Sequence, residues 1–300
     1  MRIVSLLPSA TEILFAVGAG DDVVGVTHEC NYPLAARRLP QLTSSAIDHD
    51  GQTCAAIDRH IRAAVHSGSS IYRLDEALMA HLAPDLVVTQ ELCEVCAVSY
   101  AQVEVAVRRL AGTTPVLSLE PNTLEDICRT IETVGDAVGR REGAADVANG
   151  LRARIAAVAA VADPDPRPRT VCIEWTDPIM AGGHWVPEMV RLAGAEDPLG
   201  TAGAPSAYVS WEQVVSVDPE ILVLMPCGYS LEQTLAVAHD VISRPSFRSL
   251  SCARTGRIVA VDGSSYFNRP GPRIVDGLEI LAAVVRSVPG DRLPPGAAWV

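Results

Sequence analysis

The sequence predicts an α/β protein built from two similar lobes. Short runs of β-branched residues alternate along the chain with helical patterns, which is typical of α/β folds. The predicted strands form two series, and a long stretch without strand signal separates them. The chain has 300 residues, of which 48% are hydrophobic, so it is long enough for two domains. We expect an N-terminal lobe over residues 1–120, a helical segment over residues 121–166 and a C-terminal lobe over residues 167–300.

The first series of strands begins at the N-terminus. Residues 2–6 form the first predicted strand, and residues 8–12 form a loop and helix start before an apolar helix that ends at Gly18. Three further strands are predicted, at residues 23–27, 85–89 and 115–119.

The middle of the chain predicts two helices. Apolar residues from Leu124 onward recur at spacings of three and four, and a second such pattern runs from Val147 to Val158. The proline-rich segment at residues 163–168 ends the second helix, because proline cannot continue a helix. At ~1.5 Å per residue, this helix of about 20 residues would be about 30 Å long and could connect the two lobes.

The second series of strands resembles the first. Its predicted strands are residues 170–174, 220–225 and 257–261. Glu12 is followed six residues later by Gly18, and Glu188 is followed six residues later by Gly194, each pair after a strand and a loop. This repeat supports two similar lobes joined by a helix.

The composition excludes some classes of partner and indicates a cellular location. With 36 acidic and 24 basic residues the net charge is -12, so we expect no nucleic-acid partner. No stretch approaches the ~20 consecutive apolar residues of a spanning helix, so we expect a protein that is not membrane-embedded. The N-terminal run lacks an uninterrupted signal core. We therefore expect a cytoplasmic protein with reduced thiols, with a periplasmic location as the alternative.

Soft or ionisable side chains follow three of the predicted strands. They are His28, Glu29 and Cys30 after residues 23–27, Glu91, Cys93 and Cys96 after residues 85–89, and Cys227 and Tyr229 after residues 220–225. Because the carboxyl ends of strands line the ligand crevice in open α/β sheets, we expect these residues to converge on one site. No phosphate loop or nucleophile elbow accompanies them. The sequence therefore predicts a binding protein rather than an enzyme.

The cysteines leave several chemistries open. Cys93 and Cys96 form a Cys-x-x-Cys pair, whose spacing suits two ligands of a tetrahedral metal site. Zinc would need two more ligands, for which Cys30, His28 and Cys227 are candidates. Thiolates also suit iron-sulfur clusters or copper, whereas a redox pair or ordinary packing has the same spacing.

Aromatic residues are scarce, so those near predicted loops are candidate ligand contacts. They make up 4% of the chain, and the candidates are Trp175, Trp185, Tyr266 and Phe267. His184 follows the flexible Gly182 and Gly183, and Pro187 suits the first turn of the next helix. Arg269 could meet an anionic group of a ligand. The alternatives are core packing for Trp185, a solvated loop for His184 and a surface salt bridge for Arg269.

Several motifs resemble those of a known family. They are Arg2-Ile3-Val4-Ser5-Leu6, Pro8-Ser9-Ala10-Thr11-Glu12, Gly25-Val26-Thr27 before Asn31-Tyr32-Pro33, Pro84-Asp85-Leu86-Val87 and Arg269-Pro270-Gly271-Pro272-Arg273. With them the chain resembles, over nearly its whole length, the cobalamin and ferric-siderophore class (class III) of ABC-transporter substrate-binding proteins. It is most similar to the cobalamin-binding branch without a signal peptide, through His28-Glu29-Cys30, Leu92-Cys93-Glu94-Val95-Cys96 and His184-Trp185-Val186-Pro187-Glu188.

The resemblance implies a fold, a ligand and a partner. The fold is α/β, with two Rossmann-like lobes around a cleft that a single long interdomain helix joins. The ligand is a corrinoid or a similar bulky metal chelate. The ligand-binding candidates are Pro8, Ser9, His28, Glu29, Glu91, Trp175, His184, Trp185, Tyr229, Tyr266, Phe267 and Arg269. The candidate metal ligands follow from the strand-end cysteines and not from the resemblance; they are Cys30, Cys93, Cys96 and Cys227.

Exported relatives dock on the membrane transporter through one carboxylate per lobe. Glu212 matches the motif for the second lobe, and Glu76 matches approximately the motif for the first. Solvated helix residues are the alternative, because glutamate is usually exposed.

The expected function is non-enzymatic binding of a corrinoid in the interlobe cleft, with an ABC-transporter permease as a candidate partner. The alternative is a cytosolic protein that holds a thiolate-bound transition metal or iron-sulfur cluster and has a redox or sensing role.

Overall fold

The computed structural model describes residues 1–45, 52–66, 72–90, 114–161 and 166–300. Within these residues the chain divides into two compact units. Unit 1 comprises Met1–Pro121 and Asp126–Gly150, and unit 2 comprises Asn122–Glu125 and Leu151–Val300.

The described part of unit 1 contains two sheets. Their strands are β1 (Ile3–Ser5), β2 (Val23–Gly25), β3 (Thr43–Ser45), β4 (Tyr72–Leu74), β5 (Leu86–Thr89) and β6 (Val116–Ser118). Strands β2, β1, β5 and β6 form a parallel sheet in that order, and β3 pairs with β4 in antiparallel fashion. Val4 and Val87, opposite one another on β1 and β5, are fully buried. Such continuous burial is typical of parallel strands covered on both faces.

Helices surround this sheet, and two of them have residues in both units. The helices are α1 (Pro8–Ala16), α2 (Cys54–His66), α3 (Glu76–Leu82), α4 (Leu124–Ala137) and α5 (Arg141–Ala160). The division between the units falls inside α4 and again inside α5, between Gly150 and Leu151. Helix α5 is 20 residues long, which confirms the long helix that the sequence predicted.

Unit 2 contains a six-stranded mixed sheet. Its strands are β7 (Thr170–Thr176), β8 (Ile179–Ala181), β9 (Ala207–Tyr208), β10 (Ile221–Leu224), β11 (Ile258–Val261) and β12 (Ala297–Trp299), in the order β12-β11-β10-β7-β8-β9. Strands β7, β10 and β11 run parallel, whereas β8, β9 and β12 pair in antiparallel fashion. The core of this unit includes Val171, Ile173, Leu222 and Leu224 from the two central strands.

Seven helices cover the sheet of unit 2 within the described residues. They are α6 (Val186–Leu192), α7 (Trp211–Val217), α8 (Leu231–Val237), α9 (His239–Ile242), α10 (Ser251–Thr255), α11 (Gly263–Tyr266) and α12 (Ile274–Arg286). None of the described helices in either unit is both long and apolar enough to cross a membrane.

The predicted strands coincide with β1, β2, β5, β6, β7, β10 and β11. Two corrections follow from the structure. Helix α1 begins at Pro8 and not several residues later, because proline suits the first helical turn, where its missing N–H costs nothing. Strands β3, β4, β8, β9 and β12 were not predicted from the sequence; they have only two or three residues each, too few on their own to show a periodic pattern.

Candidate functional site

In unit 1 the ends of β1 and β2 place Cys30 in a buried polar cluster. The Cys30 Sγ lies 3.1 Å from the Oγ1 of Thr11 and 3.1 Å from the Oγ1 of Thr27. Thr11 also donates a hydrogen bond of 2.8 Å to the Oγ of Ser5. Only 2% of Cys30 is exposed. Cys30 therefore contacts two hydroxyl groups inside its unit, as expected for a packed thiol.

His28 and Glu29 lie next to this cluster and nearer the surface. The Nδ1 of His28 lies 2.8 Å from the Oγ1 of Thr43, and its Nε2 lies 3.6 Å from a carboxylate oxygen of Glu29. The side chains of His28 and Glu29 are 21% and 52% exposed. Pro8 is half-buried at the start of α1, and Ser9 is buried. Of this predicted set, Glu29 presents its carboxylate at the surface of unit 1, whereas the Nε2 of His28 is buried.

In unit 2 the ends of β7 and β10 bring together Trp175, Cys227 and Tyr229. The rings of Trp175 and Tyr229 meet edge to face, with centroids 5.7 Å apart and an interplanar angle of 78°. The backbone N–H of Cys227 donates to the carbonyl of Glu174 at 3.0 Å, and Cys227 is exposed. Trp175 is 9% exposed, and its Nε1 is buried without a hydrogen-bond partner among the residues that the structure describes. A buried donor left in this state costs free energy.

His184 lies in the tight turn that follows β8. Its φ is 51°. The turn is held by two backbone hydrogen bonds, from the N–H of His184 to Ala204 at 2.6 Å and from the N–H of Gly203 to His184 at 2.8 Å. A Cβ at Gly183 would lie 2.2 Å from the backbone nitrogen of Ser206. Glycine is therefore required next to His184, because two backbone segments touch there.

The side chains of His184 and Trp185 have separate partners. The Nδ1 of His184 lies 3.3 Å from the Oδ1 of Asn122, and burial lowers the pKa of the His184 imidazole. The indole Nε1 of Trp185 donates to the carbonyl of Phe267 at 2.8 Å, and Trp185 is 5% exposed. The two rings lie 5.6 Å apart. Trp185 thus fixes the segment at Phe267, while His184 is half-buried beside it.

The predicted residues around Phe267 differ in exposure. Phe267 is fully buried, so its ring packs in the core of unit 2. Tyr266 is half-buried, and the guanidinium of Arg273 lies 5.8 Å from its ring centroid. Arg269 is 9% exposed. The backbone N–H of Ser264 donates to the carbonyl of Tyr229 at 3.0 Å, which connects this segment to the aromatic pair at the strand ends.

Glu76 and Glu212 both lie in the first turns of short helices. Each is exposed. Asp75 caps α3 by accepting from the N–H of Leu78 at 2.8 Å, and Ser210 forms a capping box with Gln213 at the start of α7. Hydrogen bonds from its own backbone N–H and from Ser210 lower the pKa of Glu212. A carboxylate at a helix N-terminus is also favoured by the helix dipole.

Three predicted residues, Glu91, Cys93 and Cys96, lie outside the described residues. In the part of the chain that the structure does describe, no group of three or more His, Cys, Asp or Glu side chains is arranged to hold a metal ion. Cys30 belongs to unit 1 and Cys227 to unit 2.

Two features near the turn at His184 were not predicted from the sequence. The Oγ of Ser206 donates to a carboxylate oxygen of Glu174 at 2.5 Å. Asp197 accepts from the N–H groups of Leu199 and Gly200 through Oδ1, at 3.0 and 2.8 Å, while its Oδ2 is buried without a hydrogen-bond partner among the described residues. Burial raises the pKa of Asp197. The Asp-Pro-Leu-Gly spelling indicates such a turn, because aspartate bonds the backbone two residues on.

A family model described as periplasmic binding protein matches residues 3–264. Among curated relatives, a cobalamin-binding protein of Halobacterium salinarum is 26% identical over 287 residues, which cover 94% of this chain and 68% of the relative. An ABC transporter substrate-binding lipoprotein of Bacillus subtilis, itself uncharacterized, is 25% identical over 94% of this chain and 78% of its own length.

Solved structures share the fold over nearly the whole chain. The periplasmic vitamin B12 binding protein of Vibrio cholerae superposes with a TM-score of 0.68 at 24% identity, covering 95% of this chain and 96% of that structure. A protein of Staphylococcus epidermidis, named as a possible iron-binding, periplasmic solute-binding protein, has a TM-score of 0.72 at 21% identity and covers 95% and 98%. These matches confirm the predicted class III periplasmic-binding-protein fold.

Proposed function

The chain belongs to the periplasmic binding protein family, and we propose that its ligand is a corrinoid, a cobalamin-like metal chelate that it holds without chemical change. The family is one of binding proteins, which confirms the predicted non-enzymatic class. The names of the Halobacterium and Vibrio relatives support a corrinoid, and the name of the Staphylococcus structure keeps a similar iron chelate as a second choice.

The observation that carries the proposal is the indole of Trp175. Its N–H is buried at the end of β7, beside the ring of Tyr229, and lacks an acceptor in the described part of the chain. A corrinoid has a large apolar ring system with amide side chains at its rim. The amide carbonyls can accept from the indole, while the aromatic edges supply apolar contact, which is the usual composition of a small-molecule site.

The proposed contacts in unit 2 are Trp175, His184, Tyr229, Tyr266 and Arg269. We propose that Trp185 supports these residues from inside the fold, because its indole N–H donates to the carbonyl of Phe267. Phe267 itself is fully buried, and we assign it a packing role. In unit 1 we propose Pro8, Ser9, His28 and Glu29 as contacts. The interlobe cleft implied by the resemblance stays a prediction.

Titration of the protein with hydroxocobalamin tests the proposal. We expect saturable binding of about one corrinoid per chain, followed by absorbance or calorimetry. Replacing Trp175 by Phe removes the indole N–H and keeps an aromatic ring, so the affinity should fall about tenfold, the equivalent of one hydrogen bond of ~1.4 kcal/mol.

Trp299 provides the matched control. Its indole N–H already has an acceptor, the carbonyl of Asp291 at 3.0 Å, so Trp299→Phe should leave the affinity unchanged. Saturation by no corrinoid would overturn the proposal. Saturation by an iron chelate alone would replace the corrinoid by the second choice.

We also propose that Glu212, with Glu76, docks on an ABC-transporter permease. Glu212 is exposed and its pKa is lowered, which favours a charged carboxylate at the surface. This carboxylate can pair with an arginine of the partner. Glu212→Ala should weaken capture of the cognate permease and leave corrinoid affinity unchanged; equal capture by the variant would contradict the docking role.

Cell fractionation decides between the predicted cytoplasmic location and its periplasmic alternative.

A further inference from the structure

The turn after β8 presents the imidazole of His184 in a fixed way. Two backbone hydrogen bonds to residues 203 and 204 hold a positive φ at His184. Ser246 also has positive φ and precedes a single 3-10 turn, whereas Ala83 and Asp218 end helices α3 and α7. His184 instead precedes a helix and follows two glycines, where left-handed backbone needs support from neighbouring structure. The positive φ at His184 therefore orients the imidazole side chain, and it does not end a helix.

The two ring nitrogens of His184 have different surroundings. Nδ1 lies 3.3 Å from the Oδ1 of Asn122. An amide oxygen can only accept, so it selects the tautomer with the proton on Nδ1. The lone pair is then on Nε2, for which the described residues provide no hydrogen-bond donor. This arrangement, one nitrogen oriented by an acceptor and the other left as a base, is the one that protein ligands to metals adopt.

The protonation state agrees with this geometry. Burial disfavours the charged imidazolium and lowers the pKa of His184, which favours the neutral ring. Neutral imidazole is the commonest nitrogen ligand of metal ions in proteins.

Resting on the proposed function, we propose that the Nε2 of His184 binds the metal of the chelate as an axial ligand. The step is a ligand exchange. The bond between the metal and a water molecule breaks, the Nε2 lone pair forms a metal-nitrogen bond, and the water leaves. The metal keeps its oxidation state, and no proton is released because the imidazole is already neutral. Asn122 is a positioning residue that holds the ring through Nδ1.

The test uses aquocobinamide, a corrinoid without its own nucleotide base, in a buffer free of nitrogen ligands. After reduction of the bound corrinoid to cobalt(II), one axial nitrogen splits the electron paramagnetic resonance lines into triplets. We expect triplets with the wild-type protein. His184→Gly should lose them, and added imidazole should restore them. Glycine suits this position because it adopts positive φ without strain.

Two further variants sharpen the assignment. His239→Ala removes an exposed histidine from the same unit and should keep the triplets. Asn122→Ala should keep them while weakening cobinamide binding about ten- to a hundredfold, which is typical when the residue that orients a metal ligand is lost. If His184→Gly does not fold, His184→Asn replaces it, because asparagine also tolerates left-handed backbone.

The outcomes separate the two proposals. Saturable binding of cobinamide without triplets, or triplets that persist in His184→Gly, would overturn the axial role and leave the proposed function standing. Saturation by neither cobinamide nor hydroxocobalamin would overturn the proposed function and the axial role with it.

Discussion

The two units repeat the same corner between a helix and a strand. In unit 1 the Nε of Arg2 donates to the carbonyl of Leu82 at 2.8 Å, and the carboxylate of Asp85 accepts from the backbone N–H of Arg2 at 2.7 Å. In unit 2 the Nε of Arg169 donates to Val217 at 2.9 Å, and Glu220 accepts from the N–H of Arg169 at 3.1 Å. Sequence similarity between the halves therefore reflects a shared backbone arrangement.

The turns from strand to helix differ between the units. In unit 1, β1 leads through Leu6 and Leu7 directly into α1 at Pro8. In unit 2 the hairpin partner β8 and the Gly182-Gly183-His184 turn stand between β7 and α6. The corners therefore provide a common scaffold, whereas within the described residues the turn that holds His184 belongs to unit 2.

Gly183→Ala should have the largest effect, because it breaks the turn that distinguishes unit 2. The added Cβ would meet the backbone of Pro205 and Ser206, at 2.6 and 2.2 Å. Backbone atoms cannot move aside as a flexible side chain can. We expect a loss of about 3 kcal/mol in the free energy of unfolding, the upper range for overpacking, measured by chemical denaturation.

Gly150 is the control for this variant. It lies within α5, and a Cβ there would have no neighbour within 4 Å. Gly150→Ala should therefore stabilise by up to about 1 kcal/mol, the difference in helix propensity. A similar result for the two alanine variants would contradict the close approach at Gly183.

The repeated corner provides a smaller test with opposite signs. Ala83 and Asp218 occupy equivalent left-handed positions at the ends of α3 and α7, with φ of 40° and 42°. Ala83→Gly should stabilise by about 0.5 kcal/mol, because relief of left-handed strain of ~1–2 kcal/mol exceeds the added entropy of the unfolded chain.

Asp218→Gly should instead destabilise by about 1 kcal/mol. Asp218 accepts hydrogen bonds from the N–H and the hydroxyl of Ser251, both at 2.7 Å, and glycine cannot replace them. This loss of stability is small because the carboxylate is partly exposed and its hydrogen bonds compete with water. Thermal or chemical unfolding that shows the same sign for both glycine variants would mean that the two corners are not energetically equivalent.

Much of this scaffold was predictable, and the reason lies in local pattern. Strands β5 and β10 are four-residue runs, apolar except for Thr89 and buried throughout. Each follows a Pro and an acidic residue, so the sequence alone indicates both. The spacing of six residues from Glu12 to Gly18 recurs from Glu188 to Gly194. It is also a local pattern, so the sequence alone reveals it.

The site was less predictable, because its contacts join distant residues. Asn122 and His184 are 62 positions apart, and Thr11 and Cys30 are 19 apart. No periodicity links such pairs. Strand-end placement predicted Cys30 as a site residue, whereas only the fold reveals that two threonine hydroxyls contact its sulfur.

The smallest expected effect concerns two carboxylates that follow the glycines ending α1 and α6. The amino group of Met1 donates to the carboxylate of Asp22 at 2.9 Å, and this bond lowers the pKa of Asp22. Burial raises the pKa of Asp197, although its bonds to Leu199 and Gly200 limit the rise. The Asp22 contribution is therefore present above the unfolded pKa of ~3.9 and lost as pH falls through the lower folded value.

Asp197 has the opposite sign. Its contribution is fully present below ~3.9 and is lost as pH rises through the raised folded pKa, because the charged form is buried. Asp197→Asn keeps a neutral acceptor for Leu199 and Gly200, so its stability relative to wild type should rise between about pH 4 and pH 7. Asp22→Asn should lose stability relative to wild type as pH rises through the lowered folded pKa to about pH 4, and its deficit should then stay constant up to about pH 7. Unfolding free energies measured below and above about pH 4 would contradict the assignment if the two variants changed in parallel with pH.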